Sequence, residues 1–142
     1  MEALNLIDTH CHLEQQIYDE DREDLLMQLR RKMSAVITDA PDPRFYDVTF
    51  DMVNKNQGFL YAVAGIHPEY IGTFSDDEIN KAVNKLKDNQ HRLVGVGETG
   101  LDYAYIKGED QREQQRGLFL RFIDLGKELN LPIIVHLRNG GD

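Results

Sequence analysis

The chain has 142 residues, 41% of them hydrophobic, with a formal net charge of −9 and a single cysteine. That length and apolar content predict a globular protein with one domain over residues 1–142, and exclude both a disordered chain and a disulfide-stapled scaffold. The acidic balance argues against binding nucleic acid by diffuse surface charge; no stretch approaches the roughly 18 apolar residues of a membrane span, and without a basic-then-apolar leader the expected location is cytoplasmic.

The first predicted strand covers residues 4–8 and leads into His10-Cys11-His12. Alternate strand residues point the same way, so His10 and His12 share a face and Cys11 takes the other. Neutral imidazoles paired in this way are metal ligands in need of partners, whereas Cys11 reads as a small buried residue. A helical pattern over about 19–32 follows, then a strand at 35–38, a helix over about 43–56 and a strand at 59–66 that ends at His67. Such near-continuous apolar runs are typical of strands buried on both faces.

Ser75-Asp76-Asp77-Glu78 combines a capping box with acidic charge at the positive end of a helix predicted over 75–88. His91 sits in a polar connection and reads as solvated. A strand at 93–96 enters Gly95-Val96-Gly97-Glu98-Thr99-Gly100-Leu101-Asp102, whose glycines permit a sharp turn that leaves the Glu98 carboxylate at a strand mouth. The glycine spacing is one residue short of a dinucleotide-binding loop and no helix starts at once, so no phosphate loop is assigned. The last helix, about 110–130, presents Leu118, Phe122, Leu125 and Leu129 as an apolar stripe before Pro132 ends it. A strand at 133–135 then runs into His136.

The order β-α-β-α-β-α-β-α-β specifies a parallel sheet with right-handed crossovers, either open or closed into a barrel. Polar residues gather where strands end: Asp8, His10 and His12, then His67, Glu98 and His136. A site at the C-terminal mouth of a barrel draws one or two groups from each successive strand in this manner. A carboxylate flanked by imidazoles also suits a two-metal hydrolase, with Glu98 in the bridging position.

Four motifs, Ile7-Asp8-Thr9-His10-Cys11-His12-Leu13, Gly65-Ile66-His67-Pro68, Gly97-Glu98-Thr99-Gly100-Leu101-Asp102-Tyr103 and Pro132-Ile133-Ile134-Val135-His136-Leu137-Arg138, resemble in order and spacing the TatD-type metal-dependent hydrolases. The resemblance spans essentially the whole chain. It implies an amidohydrolase-like (β/α)8 TIM barrel, here a partial barrel of about five parallel strands alternating with helices. It also implies two divalent metal ions and hydrolysis of phosphodiesters, DNA above all, by metal-activated water. Carried over residue by residue, His10 and His12 hold one metal, Glu98 bridges both as the catalytic carboxylate, and His136 holds the second. His67, Asp102 and Arg138 serve substrate phosphate and orientation, and a guanidinium fork such as that of Arg138 suits phosphate oxygens. Mixed imidazole and carboxylate ligands leave zinc, manganese, magnesium, iron and cobalt open.

The family adds a further histidine from its sixth strand and an aspartate from its eighth, neither within these residues. Asn139 stands where the family commonly has aspartate, and Asp142 is not a ready replacement. A closed eight-unit barrel takes about 250 residues, and a five-strand arc exposes two parallel edges. The expectation is an N-terminal part of a longer protein, an arc covered by a second chain, or self-association. Two other functions fit the same residues: a non-catalytic barrel segment acting as an assembly or binding subunit, and metal-dependent hydrolysis of an amide, ester or lactone.

Overall fold

The computed structural model describes residues 5–140, so Leu4 of the first predicted strand, and Asp142, lie outside the described residues. Strands β1 (Ile7–Cys11), β2 (Ala35–Ala40), β3 (Leu60–Ala64), β4 (Leu93–Asp102) and β5 (Ile133–Arg138) form one five-stranded sheet in sequence order, all neighbours parallel. Helices α1 (Arg22–Arg30), α2 (Tyr46–Lys55), α3 (Asp76–Asp88) and α4 (Glu109–Leu129) make the crossovers. The sheet curls into a partial (β/α)8 barrel, the one of the two architectures left open by the alternation of elements that the family resemblance implies.

Register explains where the core sits. Val36 pairs with Leu60, Thr38 with Ala62, Ala40 with Ala64, and Ala64 with Val96, so these residues share one face of the sheet. Except for Thr38 they join Leu26, Phe50, Leu86, Phe122 and Leu125 of the four helices in a single apolar cluster. Ser75 caps α3 with the predicted capping box: the Glu78 N–H donates to the Ser75 hydroxyl and the Ser75 N–H to the Glu78 carboxylate. α4 ends at Asn130 in the left-handed conformation (φ 54°), a conformation that asparagine tolerates at a helix terminus.

Several strands run further than their apolar runs. β1 lies later than predicted, and β2, β4 and β5 extend to Ala40, Asp102 and Arg138. The apolar runs end before the strands do, because the backbone continues pairing while its side chains turn polar. Thus Glu98 sits within β4 rather than on a sharp turn. Gly97 and Gly100 serve close approach instead, with φ of 143° and 150°, and a Cβ at Gly100 would collide with the backbone carbonyl of His136 on β5.

Two register shifts decide which side chains face the site. Between Asp8 and Cys11, and again between Val96 and Thr99, one strand takes in an extra residue relative to its neighbour. Strict alternation from Val96 would aim Glu98 toward the helices; the shift turns it to the face of His136. In β1 the shift falls between Asp8 and Cys11, and the Asp8 carboxylate accepts the His10 backbone N–H at 3.1 Å.

Unfolding in urea should separate the two kinds of stabilisation: Phe122→Ala, in the centre of the core, is expected to cost about 3–5 kcal/mol, and Ser75→Ala about 1 kcal/mol.

Candidate metal centre

Because all strands run the same way, their C-terminal ends meet at one rim. β1 supplies His10 and, one residue beyond its end, His12. β2 supplies Asp39, the turn after β3 supplies His67, β4 supplies Glu98 and Asp102, and β5 supplies His136 and Arg138. Two sets of donor atoms converge there, His10 with His12 and Glu98, and His67 with Glu98 and His136; within each set the atoms lie within 4.8 Å of one another. Glu98 belongs to both.

In the first set the His10 and His12 rings meet edge to face at 5.1 Å, and His10 Nε2 lies 3.5 Å from Glu98 Oε2. His12 Nδ1 lies 2.8 Å from the Asp39 carbonyl oxygen and 3.1 Å from Glu14 Oε1. Both neighbours are acceptors, so Nδ1 carries the proton and Nε2 is the nitrogen free to ligate. Holding one imidazole nitrogen by a carboxylate or carbonyl is the usual support of a metal-binding histidine. Glu14 is itself fixed by the Thr38 hydroxyl, which donates to Oε2 at 2.8 Å. The hydrogen bond to Glu14 and the nearby carboxylate charges outweigh burial and push the His12 pKa up to about 9.

Asp39 joins three strands. Its Oδ1 accepts the Glu98 N–H at 2.9 Å, and its carbonyl accepts from His12. Oδ2 is buried and finds no hydrogen-bond partner among the described residues, with His10 Nδ1 at 3.6 Å. Burial, reinforced by the neighbouring carboxylates, pushes the Asp39 pKa up to about 7.

In the second set the nitrogens of His136 face different partners. Nε2 lies 3.0 Å from Asp102 Oδ2 and therefore holds the proton; Nδ1 lies 3.0 Å from Glu98 Oε1 and 3.1 Å from His67 Nε2. His67 Nδ1 accepts the Glu69 N–H, so the His67 proton is on Nε2, directed at His136 Nδ1. The Nδ1 lone pair, which accepts from His67, and the Glu98 oxygen are both electron-rich and suited to a cation. Their spacing is close to the roughly 3.3 Å between ligand atoms of a tetrahedral ion with bonds of about 2.0–2.1 Å. Burial lowers the His67 pKa, helped by His136. Burial pushes the Asp102 carboxyl up, but bonds from His136 and the Tyr105 N–H, with the His136 and Arg138 charges, hold it below the ordinary value.

The structure thus brings His10, His12, His67, Glu98 and His136 together and places Asp102, 4% exposed, behind His136 rather than open to substrate. Arg138 is exposed at the end of β5. His91 is exposed away from the rim, and the Cys11 thiol is half-buried, donates to the Ile37 carbonyl and is pushed up to about 12, first by burial. Asp39, Glu14 and Gln115 were missed by sequence reasoning. Gln115 is fully buried on α4, accepts the Asp102 N–H and donates to the Pro68 carbonyl, both at 2.9 Å. A signal was present: Gln115 lies three residues before Leu118 on the apolar stripe, and Asp39 follows an apolar strand as the other site residues do.

For the metal-free chain, an NMR titration of the histidine rings should give His12 a midpoint near 9 and His67 one below its ordinary value. Because the folded state favours charged His12, its stabilisation is full below the ordinary 6.5 and is lost as pH rises through about 9. Glu14→Gln should bring the midpoint back toward the ordinary value.

Comparison with known proteins finds the protein-family profile TatD related DNase over residues 7–142. The chain is 29% identical to the human Deoxyribonuclease TATDN3 over 148 residues, covering 98% of this chain and 54% of that protein. It is 32% identical to YabD of Bacillus subtilis, an uncharacterized metal-dependent hydrolase, over 135 residues, with 94% and 51% covered. Among solved structures, the TatD homolog YjjV of Escherichia coli matches with a TM-score of 0.79 at 29% identity, over 94% of this chain and 51% of that one. A TatD family hydrolase of Entamoeba histolytica shares the fold with a TM-score of 0.84 at 22% identity, over 98% and 52%. The chain spans about half the length of the curated relatives it matches.

Proposed function

Since this chain belongs to the TatD-related DNase family, we propose that its strand-end rim is the metal-binding half of a phosphodiester hydrolase acting on DNA. The observation that carries this reading is the pair of donor sets sharing Glu98, with hydrogen bonds that hold His12 by Nδ1 and His136 by Nε2 and so turn His12 Nε2 and His136 Nδ1 to the metal positions. His10, His12 and Glu98 hold one ion; Glu98 and His136 hold the other. Divalent ions placed there supply a water of lowered pKa and charge stabilisation on the phosphoryl group. Zinc, manganese, iron and cobalt suit this donor set, and magnesium suits its carboxylate.

The protein's own groups do the rest. Glu98 presents one oxygen to each set, so it fixes the separation of the two positions. Asp102 holds His136 by Nε2 and so keeps Nδ1 turned inward. With a metal ion held by His136 Nδ1, the Nε2–H of His67 would be without its acceptor and could donate to a substrate phosphate oxygen. Arg138 extends the same donor surface with a charge that remains at any physiological pH. In a chain of net charge −9, such local positive features are what a phosphodiester needs to enter an acidic cleft.

The exposed edges support a further part of the reading. Leu6, Ile7, Val135 and Leu137 are 48%, 58%, 51% and 64% exposed on or beside the outer strands β1 and β5. Strands that are apolar and unpaired on one side are surfaces for more strands and helices, in line with relatives about twice as long. Completion of the barrel, within a longer chain, by a second chain or by self-association, belongs to the proposal.

Elemental analysis after dialysis should find divalent metal on the chain, with His10→Ala and Glu98→Ala both losing it; unchanged metal content in both variants removes the proposed site. In a nuclease assay with added manganese or magnesium, cleavage of DNA should stop on chelation and fall at least about 100-fold in Glu98→Ala. His67→Gln should slow cleavage while keeping the metal. Robust hydrolysis of carboxyl esters or lactones without cleavage of DNA would transfer the assignment to carbonyl substrates.

A further inference from the structure

Asp39 is a buried carboxylate at the rim to which the proposed function assigns no role. Its Oδ1 is committed to the Glu98 N–H at 2.9 Å. Its Oδ2 is buried without a partner among the described residues and points along β1 toward His10 Nδ1, 3.6 Å away. The other nitrogen of that ring, Nε2, faces Glu98 Oε2 at 3.5 Å. The imidazole therefore stands between two carboxylates, one buried at 2% side-chain exposure and one at the open rim at 15%. Asp39 belongs to neither set of converging donors.

A buried carboxylate oxygen without a donor is costly, and among the described residues the ring nitrogen within reach is His10 Nδ1. We propose that Asp39 is a positioning residue that fixes the tautomer of His10: it draws the proton to Nδ1, through a small rotation that closes the contact, and leaves Nε2 bare toward Glu98. Asp39 then does for His10 by its side chain what its carbonyl does for His12. One residue of β2 orients both imidazoles of β1. This inference rests on the metal-binding reading above for its purpose, but the tautomer it assigns belongs to the metal-free chain.

The test is Asp39→Asn. The Glu98 N–H still requires an acceptor, so the amide oxygen must take the Oδ1 place and the NH₂ group must face His10 Nδ1. Donor would meet donor, and the His10 proton should move to Nε2. Two readouts follow: the ¹⁵N shifts of the His10 ring in the metal-free chain at a pH where the ring is neutral, and the affinity for Zn²⁺ or Mn²⁺ by competition with a chromophoric chelator. The expected result is an Nδ1–H ring in the parent and an Nε2–H ring in the variant, with metal bound about 10–100-fold more weakly. An unchanged tautomer with unchanged affinity overturns the proposal. An Nε2–H ring in the parent overturns it as well, and that measurement needs no variant should Asp39→Asn fail to fold. A parent chain that binds neither metal but shows the tautomer switch sustains the role of Asp39 and removes the metal reading instead.

Discussion

In a parallel sheet, side chains alternate between faces and backbone groups pair with the neighbouring strand; this sheet shifts register at three places, and two of them build the rim. One extra residue in β1 and one in β4 shift the register, and beyond each shift the faces are exchanged. Irregular pairing frees backbone donors, which must be satisfied if buried. At each of the two rim shifts a carboxylate meets one: Asp8 accepts from the His10 N–H and Asp39 from the Glu98 N–H. The two residues so held are the ones that face each other across the rim. Fold and site meet in these two hydrogen bonds, because the same local departure that disturbs the ladder turns His10 and Glu98 toward the interior of the arc.

The electrostatic character of the rim follows. Glu14, Asp39, Asp42 and Asp102 are all 4% exposed or less, and burial of carboxylates is tolerated only with donors. Asp42 has the guanidinium and N–H of Arg44, Glu14 has Thr38 and His12, and Asp102 has His136 and the Tyr105 N–H. Asp39 alone is left with an unmatched oxygen. That oxygen faces His10 Nδ1, and a cation bound at the rim only by the native state would add to stability as well.

Much of this was legible in the sequence. His10, His12, Glu98 and His136 could be found because each ends or follows an apolar run, and an imidazole or carboxylate there has no reason to exist for packing alone. The β-α alternation and the capping box of α3 were equally plain, since each depends on neighbours close in the chain. Register was not legible: one residue inserted opposite a neighbouring strand leaves no trace in hydrophobic pattern, so the shifts within β1 and β4 have no signal in the sequence. The supporting residues were hidden for a related reason. Glu14 reads as a loop acid beside Leu13, and Gln115 as an interruption of a stripe; their meaning lies in partners 24 residues away for Glu14 and 47 residues away for Gln115.

Glu98 offers one oxygen to each donor set, and a single carboxylate has one plane and one side-chain conformation to share. Occupation of one position fixes that plane for the other. The two loading events would therefore carry a coupling free energy, and by linkage whatever the first ion does to the affinity of the second, the second does to the first. Whether the sign is cooperative or antagonistic depends on the balance between a preoriented ligand and the repulsion of two cations held by one anion. A rim of this design would pass between empty and doubly loaded through an intermediate whose population measures that balance.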